Sequence, residues 1–171
     1  TYNWIKKVKP LRTKIMDTRK TIPGLRHLQK YAVRCGGGVN HRKNLREMIM
    51  IKDNHREMQT PAISPEDIIK KVRKKTRKPI IMEVDNLSQL GSALKAKPEI
   101  ILLDNMSLRQ MRQAVQRVKK MKKNRPLLEA SGGIQYNNIV SIAKTGVDRI
   151  SIGALTHTVE PIDMSMEMVS S

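Results

Sequence analysis

The stretch Asp17-Thr18-Arg19-Lys20-Thr21-Ile22-Pro23-Gly24-Leu25-Arg26 decides how the chain is read. It follows Lys14-Ile15-Met16 and runs at once from a carboxylate and a hydroxyl to two cations and a Pro-Gly pair. That order predicts the end of a buried strand, a polar loop and the first turn of a helix. Folds that alternate strands with helices build their sites at such strand ends. Four further junctions of this kind follow, each ending in polar residues or glycine.

Working outward, strands are expected over Thr13–Asp17, Met48–Lys52, Ile80–Val84, Glu99–Asp104, Leu127–Ser131 and Arg149–Gly153. Amphipathic segments predict helices over Leu25–Arg34, Pro65–Lys75, Asn86–Ala96, Ser107–Lys122 and Asn137–Thr145. Ser64-Pro65-Glu66-Asp67 opens a helix with an N-cap, a proline at the first position and acids in the first turn. After Ser107, the residues Leu108, Met111, Ala114, Val115 and Val118 recur at helical spacing. Gly146 is a helix stop. Ile100-Ile101-Leu102-Leu103 is apolar on both faces, as a strand covered by helices must be. Repeated strand–helix units imply parallel strands with right-handed crossovers. Six such strands suit either a (β/α) barrel or an open doubly wound sheet, and periodicity does not choose between them. The tail from Ile162 to Met168 alternates strictly and predicts a half-exposed extra strand. Asp53–Ser64 is the least regular stretch and is expected to form a loop over the site.

Composition narrows the function. The 171 residues allow one domain with a real core. With one Trp, three Tyr and no Phe, that core must be aliphatic, and the 11 methionines fill its gaps. The single cysteine, Cys35, excludes an intrachain disulfide, fits a reducing cytoplasm and is expected as a small core residue. No apolar run approaches the ~18 residues that span a bilayer, and no signal peptide is visible. Beginning at Thr1 rather than Met, the chain is expected to be a trimmed or partial product. The formal charge of +19 attracts phosphates, polycarboxylates or nucleic acid. One part of it is dispersed on expected helices, in Lys70–Lys78 and Arg117–Lys123, and reads as a solvated face; the other lies at strand ends, in Arg19, Lys20, Arg42 and Lys52. A nucleic-acid binder is disfavoured, because aromatic platforms, helix-turn-helix spacing and zinc-finger spacing are all missing.

In a parallel α/β fold the carboxyl ends of all strands face one side. One rim would then carry Arg19 and Lys20, then Lys52, Asp53, Asn54 and His55, then Glu83, Asp104 and Asn105, and finally Ser131-Gly132-Gly133 and Gly153. The rim is cationic on its early strands, acidic on the middle two and glycine-rich on the last two. This division suits a ligand with carboxylates at one end, hydroxyls or a metal in the middle and a phosphate at the other. Glu83 and Asp104 interrupt or end apolar strands, where a carboxylate is costly unless paired or metal-bound. Backbone N–H groups of the Gly-Gly turn could cradle a phosphate. Gly36-Gly37-Gly38 lets the chain bend sharply before Val39-Asn40-His41-Arg42.

Six segments occur in order: 17–26, Gly36-Gly37-Gly38-Val39-Asn40-His41-Arg42, Ile51-Lys52-Asp53-Asn54-His55, Leu102-Leu103-Asp104-Asn105-Met106-Ser107, Glu129-Ala130-Ser131-Gly132-Gly133-Ile134 and Ser151-Ile152-Gly153-Ala154-Leu155-Thr156-His157. This ordered set resembles quinolinate phosphoribosyltransferase over nearly the whole chain. The resemblance implies an α/β fold, an incomplete TIM-like (β/α) barrel of six or seven strands. It implies phosphoribosyl transfer from phosphoribosyl pyrophosphate to quinolinate with decarboxylation, giving nicotinate mononucleotide, CO2 and pyrophosphate, with Mg2+ as cofactor. Carried onto matching positions, Arg19, His41, Arg42 and Lys52 would hold the quinolinate carboxylates. Lys20 would stand at the junction with the phosphoribosyl group. Glu83 and Asp104 would face the ribose hydroxyls and the Mg2+-bound pyrophosphate. Ser131, Gly132, Gly133, Gly153 and His157 would surround the 5′-phosphate.

The resemblance further implies a cytoplasmic homo-oligomer, a dimer or hexamer, with no membrane partner. The family also carries an N-terminal α/β domain that helps close a neighbouring subunit's site. That domain does not precede Thr1 in this sequence, so a separate N-terminal domain is a candidate partner. Two other readings compete: a related pyrophosphorylase-like enzyme with another acidic substrate, and an inactive basic fragment that binds polyanions.

Overall fold

The computed structural model describes residues 1–52, 63–160 and 162–169. Of the loop expected over the site, Asp53–Ala62 lies outside these residues, and Asp53, Asn54 and His55 with it. The order along the chain is α1 (Tyr2–Val8), β1 (Lys14–Met16), α2 (Arg26–Cys35), β2 (Ile49–Ile51), α3 (Pro65–Lys75), β3 (Ile80–Val84), α4 (Leu87–Ala96), β4 (Ile100–Asp104), α5 (Leu108–Lys119), β5 (Leu127–Ser131), α6 (Ile139–Ala143), β6 (Arg149–Ser151) and α7 (Ala154–His157). Among these residues no helix is long and apolar enough to cross a membrane.

Strand order settles the choice that periodicity leaves open. All pairings are parallel, and the sheet runs β1-β6-β5-β4-β3-β2. The last strand pairs with the first, as in a barrel, whereas a doubly wound sheet keeps its first strand near the middle. The barrel is not closed. On its free edge β1 meets, among the described residues, Val39, whose N–H donates to Ile15 O at 2.9 Å and whose carbonyl accepts from Asp17 N at 3.3 Å. Val39 is therefore the stub of a seventh strand, and the seam runs between it and β2. Arg42 reaches across this seam: its Nη1 donates to Met48 O at 2.9 Å and its Nη2 to Met50 Sδ at 3.3 Å.

Local signals explain the helices. Ser64 caps α3 through Asp67 N, Asn86 caps α4 through the N–H groups of Ser88 and Gln89, and Ser107 with Gln110 forms a reciprocal capping box on α5. Gly146 ends the turn after α6 with φ of 90°, as a helix stop requires. Helices α5 and α6 are shorter than their apolar periodicity predicts. The short α1 and α7 were not foreseen, since neither is long enough to show a period. Helix α1 lies against α6, where Trp4 meets Tyr136 edge-on with centroids 5.2 Å apart. A Cβ on Gly36 would come within 2.5 Å of Thr1 Cβ, so this glycine lets α1 seat against the turn after α2.

Three expectations fail, the first being that every methionine fills the core, since Met164, Met166 and Met168 are exposed. The residues from Ile162 to Met168 form no strand; their alternating Ile and Met side chains are almost fully exposed, and they pair with no strand among the described residues. Cys35 is exposed rather than in the core, since it ends α2 on the face turned away from the sheet.

The core has two parts. The larger lies between sheet and helices and includes Met82, Leu90, Ile101, Leu103, Met111, Val115, Leu128 and Ile150. The smaller fills half of the barrel interior with Ile81, Ile100 and Leu102, against which Met48 and Met50 pack. Alternation along each strand sends successive side chains to these two places. The other half of the interior is polar: Glu129 is buried opposite Leu102 in register, and Arg149 stands beside Glu129.

Candidate active site

The polar residues after each strand meet at one mouth. The loop after β1 is held from three sides. Arg26 of α2 donates to Arg19 O at 3.3 Å and to Thr21 Oγ1 at 3.0 Å. Gln29 accepts from Ile22 N at 2.9 Å and donates to Thr156 O at 2.6 Å, and Thr156 Oγ1 donates to Lys20 O at 2.6 Å. Arg19 and Lys20 are thus fixed through their main chain. The buried Nε of Arg19 has no hydrogen-bond partner among the described residues, so the guanidinium has donor capacity left for a ligand.

The segment carrying His41 and Arg42 is held by Asp17. This carboxylate is fully buried at the end of β1. It accepts from Lys30 Nζ at 2.6 Å, Asn40 Nδ2 at 2.6 Å and His41 N at 2.7 Å. Lys30, itself buried, also donates to His41 O at 3.0 Å. Burial, and then the nearby charge of Arg19, push the pKa of Arg42 below its ordinary value. Two guanidinium groups share one corner, an arrangement that an anion between them would relieve.

Opposite them stand the acids. Lys52 Nζ lies 3.1 Å from Glu83 Oε2, joining the cationic and acidic sides. Asp104 accepts from Asn105 Nδ2 at 2.9 Å. Carboxylate oxygens of Glu83, Asp85 and Asp104 come within 4.8 Å of one another. An all-oxygen, carboxylate-rich set of this kind suits a hard divalent cation such as Mg2+. Asp85 follows β3 directly and was not singled out from the sequence.

The third side is the glycine turn after β5. Gly132 has φ of 82°, and a Cβ there would meet Asn105 N at 2.9 Å and the Asn105 side chain more closely still. The turn is held by Asn138, which donates to Gly133 O at 2.9 Å and accepts from Gln135 N at 2.9 Å. Gly153 starts α7 and lies against the His157 ring, where a Cβ would fall 2.8 Å from Cδ2. His157 Nδ1 is 2.7 Å from Thr158 Oγ1.

All twelve residues to which the resemblance assigns a role border one cavity of about 690 Å3: Arg19, Lys20, His41, Arg42, Lys52, Glu83, Asp104, Ser131, Gly132, Gly133, Gly153 and His157. The same wall includes Thr18, Met50, Leu102, Asn105, Glu129, Gln135 and Ser151. Of these, Glu129 is the notable omission. Its signal was present: a carboxylate inside an apolar strand, the same signal that marks Glu83.

An incomplete (β/α) barrel with cations, carboxylates and a glycine turn around one mouth defines the class: a barrel with an anion-receiving site at the carboxyl ends of its strands. Residues 1–167 match the family described as quinolinate phosphoribosyl transferase, C-terminal domain, and the chain belongs to that family. It is 46% identical over 170 residues to the nicotinate-nucleotide pyrophosphorylase [carboxylating] of Mycobacterium leprae, covering 98% of this chain and 58% of that protein. Against the probable enzyme of the same name from Methanocaldococcus jannaschii the identity is 38% over 172 residues, with 96% and 59% covered. The solved nicotinate-nucleotide pyrophosphorylase of Francisella tularensis superposes with a TM-score of 0.86 at 43% identity, covering 96% of this chain and 56% of that one. The chain thus spans less than three fifths of the length of these relatives.

Proposed function

We propose that this chain forms the barrel of an enzyme that transfers the phosphoribosyl group of phosphoribosyl pyrophosphate to quinolinate and releases pyrophosphate and CO2, leaving nicotinate mononucleotide. The observation that carries the reading is the division of the cavity: Arg19, Arg42 and Lys52 on one side, Glu83 and Asp104 beside them, and the Ser131–Gly133 turn beyond. A planar diacid fits the first, a ribosyl cation the second and a 5′-phosphate the third.

Under this reading the guanidinium forks of Arg19 and Arg42 grip the quinolinate carboxylates, with Lys52 and His41 beside them. The pyridine nitrogen attacks the anomeric carbon as pyrophosphate leaves, with Lys20 near the junction. Positive charge developing on the ribosyl ring faces Glu83 and Asp104, whose positions are set before the reaction. The quaternary ring nitrogen then accepts the electron pair released as the C2–carboxylate bond breaks. CO2 departs, and C2 takes up a proton. Ser131, Gly132, Gly133, Gly153 and His157 hold the 5′-phosphate. Glu83 and Asp104, with Asp85, would hold Mg2+, which supplies charge neutralisation for the departing pyrophosphate when bound. The same reading places the enzyme in the cytoplasm as a dimer or hexamer, with an N-terminal domain completing the site.

Calorimetric titration of the assembled protein with quinolinate tests it. Wild type should bind, and Arg42→Ala should bind at least about tenfold more weakly, since hydrogen bonds to a charged group are lost. Absence of binding with and without Mg2+ would refute the reading. Unchanged affinity in Arg42→Ala would remove Arg42 from the site.

A further inference from the structure

Glu129 stands apart among the carboxylates of the cavity. It is fully buried on β5, facing the barrel interior, and among the described residues neither of its oxygens accepts a hydrogen bond. Two donors stand beside it. His41 Nε2 lies 3.1 Å from Oε1 without the alignment of a hydrogen bond, and Arg149 Nη1 lies 3.7 Å from Oε2 with no hydrogen-bond partner among the described residues. A buried carboxylate in this condition is costly unless its neighbours close on it. Contacts that are long or misaligned in an empty site commonly tighten when ligand binds.

The imidazole has little freedom. Its main chain is held on both sides, through His41 N to Asp17 and His41 O to Lys30. Its Nδ1 accepts from Arg42 N at 2.8 Å, so that nitrogen carries no proton. The proton of the neutral ring must sit on Nε2, the atom facing Glu129. His41 therefore links a buried anion to the main chain of Arg42, whose guanidinium crosses the barrel seam to Met48 and Met50.

We propose that Glu129 is a positioning residue: acting through His41, it secures, together with the Arg42 N–H, the ring tautomer and thereby the placement of Arg42 at the cavity mouth. Arg149 anchors the second oxygen and keeps the first aimed at the ring. This deepens the quinolinate reading above and rests on it only where affinity is concerned.

Nitrogen-15 NMR of the histidine rings in the wild-type chain, with His41 assigned by its loss in His41→Leu, reads the tautomer with no substrate present. The Nε2-protonated form is expected for His41. In Glu129→Gln, which keeps an acceptor oxygen, that form persists. In Glu129→Leu, which removes it, His41 becomes a mixture of tautomers. An Nδ1-protonated His41 in wild type overturns the proposal without any variant, as does a tautomer unmoved by Glu129→Leu. In calorimetry, Glu129→Leu should weaken quinolinate binding by about tenfold, and Glu129→Gln should stay within about threefold of wild type. The double variant Glu129→Leu with His41→Leu should bind no more weakly than either single one. Additive losses overturn the link through His41. If wild type binds no quinolinate at all, the functional reading fails, and the tautomer still decides the role of Glu129.

Discussion

Replacing Asp17 with Asn tests how the site is held. The substitution keeps the shape and removes the charge. Asp17 accepts from three donors at 2.6–2.7 Å, and its ionic partner Lys30 is itself buried. After the change the buried Lys30 ammonium loses its charged partner and is left with neutral acceptors, the new amide oxygen and His41 O at 3.0 Å. Breaking a buried pair by removing one partner costs about 3–5 kcal/mol, because the other charge is stranded away from water. At about 2–4 °C per kcal/mol for a chain of this size, Tm should fall by about 6–20 °C. Urea unfolding followed by circular dichroism gives the free energy directly. A paired control separates charge from packing: Asp17→Leu with Lys30→Met should recover most of the loss, since apolar replacements of both partners are often neutral. The local effect should reach function as well, because Asp17 holds the main chain of His41 beside Arg42. If Asp17→Asn lies within about 1 kcal/mol of wild type, the account of a buried pair holding the 40–42 segment is wrong.

Three further outcomes follow from single positions. Gly132→Ala forces a Cβ against Asn105 at φ of 82° and should cost about 1–3 kcal/mol in urea unfolding, with weaker binding of inorganic phosphate. Glu99 has its pKa pushed up by burial, but hydrogen bonds from Arg73 and from Ile80 N (2.7 Å) outweigh this and leave it below 4.5. A carboxylate lowered on folding stabilises the protein above its unfolded pKa and loses that contribution as pH falls through its folded one. Wild type should therefore exceed Glu99→Gln in stability at neutral pH, with the gap closing on acidification below 4.5; a gap that is constant with pH refutes it. Asp104→Asn in the assembled protein should lower kcat by about a hundredfold with little change in Tm, because Asp104 lies at the rim and, among the described residues, accepts from Asn105.

Much of the site was legible in the residue order. A charged or glycine-containing segment closes each apolar run, and in a parallel barrel all such segments must share one side. Arg19, Lys52, Glu83, Asp104 and Ser131 lie far apart in the chain and border a common cavity for that reason alone. Glu129 and Asp17 were read only as parts of motifs, because their roles depend on distant partners. Nothing near Glu129 in sequence announces His41, and nothing near Asp17 announces Lys30 as a buried cation. The tail misled for the complementary reason: strict alternation from Ile162 to Met168 is necessary for a half-buried strand but not sufficient without a neighbouring edge.

By itself, then, the sequence determined the alternation of strands and helices, the helix caps and the kinds of side chain at each strand end, since these rest on local sterics and on periodicity. Only the tertiary structure decided that β6 pairs with β1, that Val39 stands as a stub at an open seam, that Arg42 spans it and that Glu129 faces His41 across the barrel. Those outcomes depend on contacts between residues remote in the chain, where the closing of one strand against another selects which side chains meet.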